Sequence, residues 1–207
     1  MGKAVDAAGG DETGFPPAMR QGKVIGLGKI ILFSGHMTDG PNRPEPRFPA
    51  WLEPQVRTAI RSALQDWQVG PGDTGICGAA RGGDIIFAEQ CLALGARVSL
   101  FLPLPVAAFL EASVRLPDEL DSDWEARFFG LLDDCPAEGP EADDGAHPFV
   151  ANNARMLAEA RKAAGGDDPY ALILWDGRDP DGKGGTAEIA EATEGWRHRV
   201  VIDPAGL

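Results

Sequence analysis

Five short apolar runs, each closed by glycine, proline or aspartate, alternate with stretches whose apolar residues recur every three or four positions. The runs are "KIILFSG" from Lys29, "TGICG" from Thr74, "RVSLFLP" from Arg97, "YALILW" from Tyr170 and "HRVVI" from His198. Short runs without polar alternation suit strands that are covered on both faces. After the first run, Leu52, Val56, Ala59, Ile60, Ala63, Leu64 and Trp67 trace one face of a helix. After the second comes "IIFAEQCLALG", with Gly95 in the position that ends a helix. "VAAFLEASVR", then "DWEARFFGLL" with Trp124, Phe128 and Leu131 on one side, and then residues 149–164 read as helices. "TAEIAEATE" is the last. Strands alternating with helices demand a parallel sheet with helices on both faces, joined by right-handed crossovers. The expected fold is therefore a Rossmann-like, doubly wound α/β domain of about five strands.

The domain is expected over 29–207. Residues 1–28, rich in Gly, Ala and Asp, read as a flexible arm with "KVIGLG" as a candidate edge strand. The polar, proline-broken stretch 133–148 reads as an exposed loop. No internal repeat is visible. The chain has 207 residues and is 43% hydrophobic, enough for one core. No run of 18 apolar residues offers a membrane span, and the first residues lack the apolar stretch of a secretory signal. Cys77, Cys91 and Cys135 are odd in number and fit neither a disulfide framework nor zinc spacing. A cytoplasmic location with buried thiols is the expectation. The formal net charge of −13 argues against a nucleic-acid footprint and against an anionic membrane surface. It leaves room for a small anion held in a local pocket. No cofactor or metal is expected: Asp176, Asp179 and Asp181 lack the spacing of a calcium loop and read as solvated turn residues.

In doubly wound sheets, ligands bind outside the carboxyl ends of the strands, where the strand order reverses. If the five runs are ordered 3-2-1-4-5, the crevice lies between the first and the fourth, and the loops after "ILFSG" and "LILW" face each other. Four segments fall at such ends. Ser34, Gly35 and His36 stand at the exit of the first run. Arg43 and Arg47 follow in a proline-rich loop, which reads either as a surface connection or as a lid. "GAARGGD" spans Gly78 to Asp84. Here Arg81 adds a cation, Gly82 and Gly83 let the backbone approach a ligand or a neighbouring strand, and Asp84 is placed to cap the next helix. In "NNARM", Asn152 and Asn153 suit a base, a ribose or a phosphate, or serve as ordinary caps. In "GKGGTAE", Gly184 and Gly185 permit positive φ, Thr186 can cap the helix or donate to an oxygen, and Lys183 adds a cation beside the helix's positive end. This is neither a Walker A loop nor a dinucleotide fingerprint.

Taken together and in order, "GAARGGD", "NNARM" and "GKGGTAE" resemble the GGARGAD-type loop, the RN-x-x-M or RKA-x-M element and the P-G-G-x-G-T-x-x-E motif of the SLOG superfamily. That superfamily consists of Rossmann-like domains. It includes the cytokinin-activating LOG phosphoribohydrolases, DprA-like proteins and nucleotide-sensing domains of bacterial signalling and defence systems. The similarity covers roughly residues 29–203. It implies a nucleotide-type ligand, and pairing into a homodimer. The enzymes of the superfamily split the N-glycosidic bond of nucleoside 5′-monophosphates with the motif's Arg and Glu. This chain departs at both places: Asn152 and Asn153 stand where the Arg and Lys would be, and Ile189 stands where the Glu would be. Glu188 falls one residue early, about 100° around a helix.

Three functions follow as expectations. The first is a nucleotide-binding sensor or regulatory domain with phosphate on the glycine-rich loops. The second is an N-glycosidase using Glu188 or another acid. The third is an interaction domain with a degenerate pocket, against which an open cleft lined by Gly35, Arg81, Asn153 and Thr186 would count.

Overall fold

β1 (Ile30–Gly35) runs through the middle of the sheet, and its first four residues are buried. Alternate side chains point to opposite faces of a strand. Ile31 and Phe33 accordingly join one core cluster, and Ile30 and Leu32 join the other. This two-sided burial explains the unbroken apolar run. The computed structural model describes residues 28–116, 122–140, 145–179 and 183–207. The other strands are β2 (Thr74–Cys77), β3 (Arg97–Phe101), β4 (Ala137–Glu138), β5 (Tyr170–Leu174) and β6 (His198–Ile202). All pair in parallel in the order β4-β3-β2-β1-β5-β6.

The doubly wound fold is as expected, with six strands rather than five. The extra one, β4, lies in the stretch read as a loop. The amides of Leu100 and Leu102 donate to Pro136 and Glu138, so the free edge of β3 makes a strand of residues that carry no strand pattern. α4 (Trp124–Asp134) also runs two residues into that stretch, and Cys135 is buried. Of the proposed N-terminal arm, only Gly28 is among the described residues; the candidate edge strand otherwise lies outside them.

α1 (Glu53–Asp66), α2 (Gly83–Ala93) and α4 cover one face. On the other lie α5 (Pro148–Ala163) and α6 (Thr186–Ala192). α1 buries Val56, Ile60, Ala63 and Leu64, the predicted stripe. α2 is apolar nearly all round because it is enclosed by the sheet, α1 and α4. Phe87 of α2 stacks on Phe33 of β1 with ring centres 4.7 Å apart, fixing the helix to the central strand. Gly95 ends α2 at φ 81°, as its position suggested. Arg127 of α4 bridges Glu89 of α2 at 2.7 Å and Glu53 of α1 at 2.9 Å. After β3, the expected helix at Val106 is a short α3 (Val106–Phe109) that widens into a π turn over Leu110–Val114. That segment lies across the carboxyl edge of the sheet. Among the described residues, no helix is long and apolar enough to cross a membrane.

Candidate ligand-binding site

The last rung between β1 and β5 is the His36 amide donating to Leu174 O at 3.0 Å. Beyond it the two chains diverge, because β1 leads towards β2 on one side and β5 towards β6 on the other. A cavity of about 410 Å³ opens there. The two loops face each other across it: Ser34 Oγ donates to Thr186 Oγ1 over 3.4 Å.

The loop after β1 forms one wall, and it is latched rather than free to act as a lid. The Asp39 carboxylate accepts from the amides of Arg47 (2.7 Å) and Phe48 (2.8 Å), and the Asp39 amide donates to Phe48 O. Phe48 is fully buried beneath it. Arg43 Nε lies 3.3 Å from Asp39 Oδ1. Arg47 Nε lies 3.5 Å from Asp176 Oδ2, and an Arg47 guanidinium nitrogen donates to Asp179 O, so the loop is joined to the chain after β5. His36 Nε2 stands 3.0 Å from Asp176 Oδ1 and 3.2 Å from the Asp176 amide. Burial lowers the His36 pKa most, with the charges of Arg47 and Arg43 adding to it, against the pull of Asp176. Burial also opposes ionisation of Asp176, but the Arg178 amide, His36 and Arg47 outweigh it and hold its pKa below the ordinary value. Asp176 thus anchors a junction between the two loops. Asp181, read together with it, lies outside the described residues.

The glycine-rich loop before α2 forms the floor. Gly82, at φ 86°, is the N-cap of α2. A Cβ there would lie 2.5 Å from the Thr38 amide nitrogen, and the Gly83 amide donates to His36 O at 3.1 Å. Of the two sequence alternatives for this glycine pair, the structure has the close approach of the neighbouring chain, and neither glycine lines the cavity. Arg81 does line it. Its Nε donates to Thr38 O and its amide to Ser113 O. Asp84 does not cap α2 as expected. It stands at the second helical position and folds back, with Oδ2 accepting from the Ala80 amide at 3.2 Å. Burial pushes its pKa up to about 7, although the amides of Ala80, Gly78 and Gly35 favour the charged form. Gly78 is needed because a Cβ would sit 2.9 Å from that carboxylate.

α5 and the turn before α6 close the far side. Both asparagines reach the cavity wall, but their amides hold the fold together. Asn152 Nδ2 donates to Phe101 O (2.8 Å), while Asn153 Nδ2 donates to Gly185 O (3.3 Å) and Glu188 Oε2 (3.2 Å). Glu188 Oε1 accepts from the Gly184 amide at 3.0 Å. Glu188 Oε1 therefore ties the turn to α6, in the manner of a capping box, Oε2 ties α6 to α5, and Glu188 does not line the cavity. Gly184, at φ 78°, presses on α5: a Cβ there would lie 2.3 Å from the Phe149 Cβ. Arg155 turns away to donate to the carbonyls of Glu138 and Gly139 at the sheet edge and to Asn152 Oδ1, and stays off the cavity. Gly184, Gly185 and Thr186 line the wall, as does Lys183, which has no carboxylate partner among the described residues.

The other lining residues carried no local sequence signal. Thr38 and Asp39 come from the β1 loop, Phe109 and Ser113 from the segment after β3, and Phe149 and Trp175 from α5 and the end of β5. Phe109, Phe149 and Trp175 add an apolar surface beside the polar floor. Their common feature is topological: each lies on chain that passes the carboxyl edge. Compared with family models and with curated proteins, the sequence gives no match.

Proposed function

We propose that this domain binds a nucleotide or a nucleotide derivative in the cavity between β1 and β5, in a sensory or regulatory role. One observation carries the reading. At the point where the strand order reverses, an otherwise acidic chain encloses about 410 Å³ with Arg43, Arg47, Arg81 and Lys183 in its walls. Small-molecule sites typically span about 300–1,000 Å³ and combine apolar surface with a few placed polar groups. Thr186 and Ala187, from the opening turn of α6, line the same wall, where helical amides have no partner within the helix. The phosphate belongs beside Lys183 and these residues. The amides of Gly184 and Gly83 are already engaged, which narrows the cradle relative to the sequence expectation. Phe109, Phe149 and Trp175 offer apolar surface for a base.

The open cleft lined by Gly35, Arg81, Asn153 and Thr186 also disfavours a plugged, purely structural pocket. A glycosidase needs a carboxylate beside the developing oxocarbenium centre. Glu188 is bound to Gly184 and Asn153 instead, so nothing in the geometry favours base release over binding. Calorimetry with nucleoside mono- and diphosphates, cyclic nucleotides and ADP-ribose tests the proposal. We expect at least one to bind, and Lys183→Ala to weaken it about tenfold through loss of a charged contact. A folded chain silent towards the whole panel refutes it.

A further inference from the structure

Four buried side-chain atoms have no hydrogen-bond partner among the described residues: Thr38 Oγ1, Asp84 Oδ1, Arg155 Nε and Asp176 Oδ2. Two of these are explained outside the cavity. Asp176 Oδ2 lies within 3.5 Å of both Arg47 and Arg178, Arg155 binds the β4 edge through its terminal nitrogens, and neither residue lines the cavity. Thr38 and Asp84 remain. Their residues are only 1% and 8% exposed, and both line the cavity. They also share one wall. The chain at 36–38 crosses the start of α2, where the Gly83 amide donates to His36 O and Arg81 Nε holds Thr38 O at 3.2 Å. Leaving a polar atom buried and unpaired is costly, and native folds seldom do so twice in one place without a partner that is supplied from elsewhere.

The chemistry of the two atoms narrows that partner. An ionised carboxylate only accepts, whereas a threonine hydroxyl both donates and accepts. A hydroxyl can donate to Asp84 and accept from Thr38 at once. An anion would be repelled by Asp84, and an ammonium group would find Arg81 on the same wall. Acidic side chains are the usual readers of ribose hydroxyls in doubly wound folds. Resting on the nucleotide reading above, we propose that Thr38 Oγ1 and Asp84 Oδ1 read a sugar hydroxyl of the ligand, so that the cavity selects ribose over its deoxy counterparts. The phosphate end then lies towards Lys183 and Thr186, and the sugar lies over the floor next to Ser34 and Gly35.

Calorimetry on the full chain with AMP, 2′-deoxy-AMP, 3′-deoxy-AMP, ribose 5-phosphate and 2-deoxyribose 5-phosphate tests this. We expect at least one deoxy form to bind about ten- to a hundredfold more weakly than its ribose parent, the usual penalty for leaving buried polar groups unpaired. The comparison needs no variant and so does not depend on one folding. Thr38→Val, which removes the hydroxyl at nearly constant volume, is expected to bring the ratio towards one. Asp84→Asn, which keeps an oxygen for the Ala80 amide, should reduce it. Lys183→Ala should weaken ribose and deoxy forms alike and leave the ratio unchanged. Equal affinity for the ribose and deoxy forms means that an ordered water alone fills the floor; that overturns this inference and leaves the nucleotide reading standing. A ratio unmoved by both floor variants places the hydroxyl elsewhere and also overturns it. Silence of every sugar phosphate overturns both.

Discussion

β2 carries a glycine and an aspartate at each end, and the two turns are built to opposite ends. At its start, Gly72 has φ 101° and Asp73 is 6% exposed; beyond its finish, Gly82 has φ 86° and Asp84 is 8% exposed. Asp73 is fully employed. It accepts from the Lys29 amide at 2.7 Å and the Gly70 amide at 2.9 Å, and its carboxylate lies 3.3 Å from Lys29 Nζ. Asp84 has the Ala80 amide on Oδ2, no hydrogen-bond partner on Oδ1, and a pKa raised to about 7 by burial. Equal burial therefore does not mean equal purpose. A carboxylate at the amino edge closes a turn, while one at the carboxyl edge keeps a valence open towards the cavity. Structural carboxylates are satisfied within the fold; a carboxylate kept for a ligand carries its desolvation penalty until the ligand arrives.

The glycines separate the two turns most sharply. Gly72→Ala meets nothing within 4 Å, so only the left-handed backbone resists it, at about 1 kcal/mol. Gly82→Ala adds a 2.5 Å collision with the Thr38 amide to the same strain. We expect a loss of about 4 kcal/mol in urea unfolding, together with displacement of the loop carrying Thr38 and Asp39. Similar losses for both variants would remove the claim that the chain crossing at 36–38 is tightly packed.

Next come the carboxylates. Asp73→Ala leaves two amides and Lys29 without their acceptor and should cost about 3 kcal/mol. Asp84→Asn should behave differently, and its effect should depend on pH. The folded pKa of Asp84 lies near 7 and the ordinary value is 3.8. Below about pH 4 the carboxyl is protonated in both states and contributes no difference. Between about 4 and 7 the unfolded chain gives up the proton that the folded chain retains, so wild-type stability falls as pH rises, and the penalty is complete above 7. The variant lacks this penalty. Its stability relative to wild type should thus climb through that window, on the order of 4 kcal/mol by pH 8. Thermal unfolding of both proteins from pH 4 to 8 measures the difference; a constant offset would mean that Asp84 is ionised throughout.

How far these turns were readable in the sequence depends on what each residue requires. The strands were legible because both faces are buried, so "KIILFSG" and "YALILW" admit few other roles. From their order followed the position of the cavity, and Ser34 and Thr186 meet where that order places them. β4 was not legible: Ala137 and Glu138 are exposed and become a strand only because β3 offers a free edge. Glycine pairs announced that something comes close without saying what. At Gly82 it is the Thr38 backbone, and at Gly184 it is Phe149. Glu188 looked like a misplaced catalyst because sequence spacing shows helical phase but not bonding partners, and its partners are Gly184 and Asn153. Phe109 and Ser113 reach the wall only through the path of the chain after β3, which no local pattern encodes.

The smallest effect probes the same contrast from the other side. Thr38 is 1% exposed and its hydroxyl has no partner, so in the unliganded protein that hydroxyl is a burden rather than a support. Thr38→Val replaces it with a methyl group of similar size, and exchanging an unsatisfied buried hydroxyl for an apolar isostere is neutral or stabilising. We expect a gain of up to about 1 kcal/mol, read as a higher midpoint in urea with an unchanged slope. Thr193 gives the matching control on α6: it is fully buried, but its hydroxyl donates to Ile189 O at 2.7 Å. Thr193→Val should lose about 1 kcal/mol, because the carbonyl it serves loses a partner. Opposite signs for two buried threonines would locate the unmet hydrogen-bonding demand at the cavity floor. A loss at both positions would mean that Thr38 is satisfied in the unliganded protein, and the floor would then have one open valence, at Asp84, instead of two.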